Sequence, residues 1–224
     1  MRHPDMIVLR ALGALLSYPR DEIWRALPEI AEAIRASRLI PPRQRENLLT
    51  LVAEMGAGDL LEAEERYVEL FDRGRAASLH LFEHLHGESR DRGQAMVDLR
   101  HLYERSGYEL SSRELPDYLP IVLEYLSCRD LQETRELLGD CAHLLRRIGQ
   151  SLIARGSRHA AVLQALLVIA GENPIDVAAV PRVAERRENL DHDWLEQPAF
   201  GAEPLAAGSS SPSVPPSGNT PPSR

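Results

Sequence analysis

The sequence predicts an all-α fold: a single-domain helical bundle followed by a disordered C-terminal tail. Three observations carry this. Apolar residues recur at three- and four-residue spacing almost throughout, the period of one helical face, and no segment shows the alternation of a strand. A chain of 224 residues is long enough to bury one substantial core. From about Gln197 the composition turns to Pro, Ser and Gly, with Pro198, Pro204, Pro212, Pro215, Pro216, Pro221 and Pro222. Such a tail cannot bury enough apolar surface to offset its ordering entropy. The expected division is a helical domain over residues 1–196 and a tail over 197–224.

Ile7, Leu9, Leu12, Leu15 and Leu16 form the first stripe, and Pro19 ends it. Asp21 is placed to cap a second helix carrying Ile23, Trp24, Leu27, Ile30 and Ile34, with a kink or break expected at Pro28. Pro41-Pro42 opens a third helix with Leu48, Leu49, Val52 and Met55 as its stripe. Asp59 begins a fourth, running to Phe71, and Gly74 fits its stop. Ser78 is placed to cap a short helix over 79–86, which Gly87 closes. Asp91-x-x-Gln94 has the form of a capping box for a helix whose buried face holds Met96, Leu99, Leu102 and Tyr103.

Asp117, between Pro116 and Pro120, is expected to cap a helix over 118–127. That helix is apolar on nearly all sides, which predicts a position in the middle of the bundle. Leu138, Cys141, Leu145, Ile148 and Leu152 predict one long helix, and residues 160–170 another, stopped by Gly171 and Pro174. Cys128 and Cys141 fall among apolar helical positions, so both are expected to be buried thiols in a reducing compartment.

Charge narrows the partners. With 26 basic and 34 acidic residues the formal net charge is −8. An acidic surface repels phosphate backbones and attracts basic peptides, so nucleic acid is not an expected partner. Every basic side chain is Arg. No apolar run approaches the roughly 20 residues of a membrane span, and the first residues do not read as a signal peptide, so no stable membrane insertion is expected and the expected location is cytoplasmic.

The chemistry-bearing residues concentrate between Tyr67 and Tyr118. His80-Leu81-Phe82-Glu83-His84 spells H-x-x-E-H, an inverted zincin motif. Histidines four apart on one helix could hold zinc with Glu83 as base, but a catalytic zinc needs a third protein ligand and no downstream motif supplies one. The alternative is a pair of partly buried, hydrogen-bonded histidines. Glu64, Glu65, Glu69 and Asp72 form an acidic stretch, read either as a solvated face or as a guide for a basic partner. Tyr67, Phe71 and Phe82 are either core or the lining of a groove that accepts an amphipathic helix. Glu88 to Gly93 is a polar connection in which Arg90 and Arg92 could meet an anion, without any Walker pattern.

The run Y-V-E-L-F-D-R-G-R-A-A-S-L-H-L-F-E-H-L-H-G-E-S-R-D-R-G-Q-A-M from Tyr67, followed by E-L-P-D-Y-L-P from Glu114, closely resembles the signature of the respiratory nitrate reductase assembly chaperones. These are the delta-subunit members of the helical molybdoenzyme chaperone family. The resemblance spans residues 6–194 and is densest over 67–126. It implies an all-helical chaperone, not an enzyme, with no resident cofactor and no metal-ligand set at H-x-x-E-H. It implies binding to the N-terminal peptide of the nitrate reductase catalytic (alpha) subunit, held in the cytoplasm until the molybdenum cofactor is inserted. Molybdenum cofactor biosynthesis proteins are further partners within that picture. The residues expected to meet the partner peptide are Tyr67, Phe71, Phe82, Glu83, His84, Glu114, Asp117 and Tyr118. The alternatives are a chaperone for a different molybdoenzyme and a zinc hydrolase using His80, Glu83 and His84.

Overall fold

The computed structural model describes residues 4–73, 75–86, 90–110 and 114–181, all within one compact unit, Met1–Glu185. The expected stops at Gly74 and Gly87, the turn at Glu88 and the tail 197–224 lie outside the described residues. Among the described residues there are eleven α-helices and no strand. The only extended pairing there is an isolated antiparallel bridge between His80 and Tyr118.

Helix α1 (Ile7–Leu15) and its cap bury Leu9, Leu12, Leu15 and Leu16 of the predicted stripe, but Ile7, expected on the same face, is exposed. The second helix is indeed broken: α2 (Asp21–Arg25) and α3 (Leu27–Ala36) meet at Ala26, with Pro28 in the first turn of α3, where its missing N–H costs nothing. Asp21 lies inside α2 and makes no side-chain cap. Helix α4 (Pro42–Ala57) starts at the proline pair. Helix α5 (Leu60–Tyr67) is capped by Asp59, whose carboxylate accepts the Glu62 N–H at 2.8 Å. Its continuation toward Phe71 is not α-helical: Val68–Asp72 widens into a π-helical turn.

Four further expectations are corrected. The short helix α6 is Leu81–His86, starting two residues later than the sequence implies, and Ser78 does not sit at its N-cap. Helix α7 is Arg90–Arg105, so Asp91 lies within the helix and not at its N-cap position; Gln94 donates to Asp98 at 2.9 Å. The single long helix through Cys141 is two, α9 (Leu131–Asp140) and α10 (Ala142–Ala154), with Cys141 at the break. Cys141 is partly buried, but Cys128 is exposed and not the buried thiol expected. Helix α11 (Ala160–Ile169) ends before Gly171, which takes φ +88°.

Helix α8 (Leu119–Leu126) is the centre of the bundle, as its all-round apolarity implies: seven of its eight residues are buried and only Glu124 reaches solvent. Each fully buried Leu, Ile or Val there contributes roughly 1.5–3 kcal/mol of transfer free energy. Helix α1 packs directly against α8. A Cβ at Gly13 would stand 3.2 Å from the Pro120 carbonyl oxygen, so glycine allows this close crossing. Helices α3, α4, α11 and α10 then follow one another around the core.

Candidate functional site

The signature residues converge where 79–81 and 117–119 run side by side. The Leu81 N–H donates to the Asp117 carbonyl at 3.1 Å and the Leu119 N–H to the Leu79 carbonyl at 2.9 Å. Asp117 is completely buried. Its Oδ2 accepts the Phe82 N–H at 3.0 Å, and its Oδ1 lies 3.3 Å from His80 Nδ1. Phe82 is in the first turn of α6, where N–H groups lack intrahelical partners. Asp117 therefore caps α6, 35 residues away in sequence, and not its own helix. The N-cap of α8 is Tyr118, in extended conformation and without a side-chain cap bond. That corrects the local capping expected for Asp117.

A buried carboxylate must be paired or hydrogen-bonded. His80 supplies that pairing. Its pKa is raised, chiefly by the hydrogen bond to Asp117, with the Asp117, Glu83 and Glu114 charges adding and burial opposing. The His80 ring also stacks at 5.2 Å on Tyr118.

The remaining H-x-x-E-H side chains turn to protein partners. Ser78 Oγ donates to Glu83 Oε2 at 2.6 Å and accepts the His80 N–H at 3.3 Å. Arg92 Nη2 reaches Glu83 Oε1 at 3.4 Å, tying α6 to α7. His84 Nε2 donates to the Ser78 carbonyl at 2.9 Å. His80 precedes α6, so the two histidines do not share a helical face as the zinc reading requires. Among the described residues no three His, Cys, Asp or Glu side chains are grouped to hold a metal. Metal analysis of the purified chain should find zinc well below one equivalent. A full equivalent, lost in His80→Ala with His84→Ala, would favour the hydrolase.

The aromatics form a ladder under this frame. The Tyr67 and Tyr118 phenol oxygens are 2.9 Å apart, and both approach the carbonyl of Leu16 at the end of α1, at 3.2 and 3.5 Å. Burial pushes both phenols above their ordinary pKa. Tyr18 stands edge-on to Tyr67 at 5.5 Å, and Tyr67 packs on Phe71 at 4.8 Å. Tyr67 and Phe71 belong to the core, whereas Phe82, Glu83, His84 and Tyr118 are partly buried and Glu114 is exposed.

Beside Tyr18 an open groove of about 470 Å³ runs along α5 and the π turn. Leu61, Val68 and Tyr18 give it apolar surface, and Glu64, Glu65, Glu69 and Arg73 give it charge. Leu61 is 64% exposed, the most exposed large apolar side chain described. Glu114 acts electrostatically on Tyr67, Tyr118 and His80, so the acidic field continues across the ladder. Tyr18 and Leu61 are candidate-site residues that the sequence reading missed, and Ser78 and Arg92, read there as a cap and an anion contact, bond Glu83 instead. An apolar Leu61 among acids on the outer side of an amphipathic helix is the one detectable signal. A larger cavity of about 920 Å³ lies between α4, the α10–α11 corner and residues 174–180, and shares no residue with the signature. The signature cluster, not size, locates the candidate site.

Comparison with known proteins fits this picture. Residues 20–163 match the family model described as nitrate reductase delta subunit. The nitrate reductase molybdenum cofactor assembly chaperone NarJ of Escherichia coli (strain K12) is 42% identical over 197 residues, covering 86% of this chain and 84% of the relative. The probable assembly chaperone NarW of the same strain is 38% identical over 197 residues, covering 86% and 82%. The probable NarJ of Bacillus subtilis (strain 168) is 34% identical over 163 residues, covering 72% and 86%. The chain belongs to the nitrate reductase delta subunit family.

Proposed function

We propose that this chain is a dedicated assembly chaperone of nitrate reductase. In this reading it binds the N-terminal segment of the catalytic subunit in the cytoplasm and holds that subunit for molybdenum cofactor insertion. It acts by binding, not by catalysis. The observation that carries the reading is the match over most of the chain to assembly chaperones. The geometry supports it, because an acidic groove with apolar surface suits an amphipathic, Arg-bearing helix. Among the described residues no helix is long and apolar enough to cross a membrane.

The residues divide into two roles. Glu114, Tyr118, Phe82, Glu83 and His84 reach the surface and contact the peptide together with Glu64, Glu65, Glu69 and Leu61. Tyr67, Phe71 and Asp117 lie beneath and hold those residues in place. The chaperone domain spans residues 1–196. Molybdenum cofactor biosynthesis proteins meet the loaded complex.

Calorimetry with the synthetic N-terminal peptide of the cognate catalytic subunit tests this. Binding should be stoichiometric and should weaken with salt, because part of the attraction is Coulombic. Glu64→Gln combined with Glu69→Gln should lower affinity about tenfold at low salt and flatten the salt dependence. No binding at any salt concentration would overturn the reading.

A further inference from the structure

Arg155 forms the corner between α10 and α11, where it is the C-cap of α10. Its Nη1 donates to the main-chain carbonyl of Leu70 at 3.2 Å and approaches that of Glu69 at 3.4 Å. Both carbonyls belong to the π-helical turn Val68–Asp72. That turn closes through the Arg73 N–H to the Val68 carbonyl at 3.1 Å, one residue wider than an α-turn. Carbonyls at a helix end have no intrahelical donor, and a guanidinium is a natural substitute. The same corner grips the turn a second time, because the His159 ring stands edge-on to Phe71 at 5.5 Å. Gly156, with φ +70°, allows the chain to turn sharply between these two contacts.

The other side of the π turn is the groove. Val68, Glu69 and Arg73 line it together with Glu64 and Glu65 from α5. A single turn therefore has the α10–α11 corner behind it and the charged wall in front. π turns occur disproportionately at functional sites, and they persist only where something else satisfies the displaced backbone.

We propose that Arg155 is a positioning residue for the acidic groove: by holding the Glu69 and Leu70 carbonyls it fixes the π turn, and so the wall that a basic amphipathic helix meets. This rests on the reading of the groove as the peptide-binding face. It makes a prediction opposite to simple electrostatics. Removing a cation near an acidic groove should tighten binding of a basic peptide if charge alone mattered. Loss of the positioning contact should weaken it.

The test uses the full chain, with wild type, Arg155→Ala, Arg155→Lys and Glu69→Gln titrated with the same synthetic peptide. Arg155→Ala should bind about fivefold more weakly, the scale of a single ordinary hydrogen bond in a solvated setting. Its melting temperature should fall by no more than about 2 °C, because the side chain is exposed. Hydrogen exchange should speed up at the amides of residues 69–73 and not across the bundle. Arg155→Lys should recover most of the affinity, since an ammonium donates to the same carbonyls. Equal or tighter binding by Arg155→Ala overturns the proposal, as does a loss of affinity accompanied by faster exchange throughout. Wild type that binds while Glu69→Gln binds equally well removes Glu69 from the wall and overturns it too. A wild type that binds no peptide overturns the reading of the groove itself.

Discussion

Asp117→Ala should destabilise the bundle by about 3 kcal/mol, the range for breaking a buried, hydrogen-bonded charge pair. The carboxylate is completely buried and accepts from the Phe82 N–H and the His80 ring. Alanine strands both donors, and the unpaired N–H at the start of α6 keeps its desolvation penalty. Asp117→Asn is the informative partner. Its amide oxygen can still accept the Phe82 N–H, but its NH₂ then faces His80 Nδ1, which must become an acceptor. That selects the neutral imidazole. In wild type the His80 pKa is raised by its bond to Asp117. Stability from that pairing is complete below the ordinary histidine pKa of about 6.5 and fades as pH rises through the raised folded-state value. The stability gap between wild type and Asp117→Asn should therefore narrow as pH rises through that range. Urea unfolding at stepped pH measures it. A gap that stays constant would show that His80 is not the counter-charge, and an Ala variant within about 0.5 kcal/mol of wild type would show that the frame does not depend on Asp117. Because the carboxylate has no exposed surface, any loss of peptide binding in these variants comes through the displaced α6, not through a missing contact.

Sequence periodicity located nearly every helix because a helix that buries one face must repeat its apolar residues at that period. The central place of α8 was legible for the same reason taken to its limit, since a helix with seven buried residues has no polar side to show. Of the local cap signals only the helix start at Asp59 held, where the carboxylate caps α5; the caps expected at Asp21 and Ser78 do not form. Asp117 defeated that logic because its partners are 35 and 37 residues away, brought close by the bundle and not by the chain. The break at Cys141 left no trace, because the apolar seam runs on through both helices while only the backbone conformation of one residue departs from the helix. The π turn at Val68–Asp72 was hidden likewise: Tyr67 and Phe71 still pack on each other, so the side-chain spacing reads as α-helix. The acids of the groove were visible as a run, but not that Tyr18, from the connection after α1, lies among them.

Acid should weaken the bundle through His159. Burial, with the Arg66 charge adding, lowers its pKa to about 4. In the unfolded chain the ring takes up a proton near pH 6.5, whereas the folded chain resists until about pH 4. The unfolded state therefore binds more protons across that window, and stability must fall as pH drops through it. The loss approaches about 3 kcal/mol, an upper bound because the residue is only partly buried. His80 works in the opposite sense, since its proton favours the folded state. His159→Phe isolates the effect. The substitution keeps an aromatic ring against Phe71 and gives up only the 3.2 Å contact between His159 Nδ1 and Ser157 Oγ. The His159 N–H that bonds Ser157 Oγ at 3.3 Å belongs to the backbone and survives. Unfolding free energies from pH 7 to pH 4 should fall less steeply for His159→Phe than for wild type. Identical slopes would mean that the imidazole titrates freely. A shallower slope would place the acid-labile point of the fold at the Phe71–His159 contact. Acid would then loosen the π turn from behind, so client binding should fall between pH 7 and pH 4 in wild type and fall less in His159→Phe.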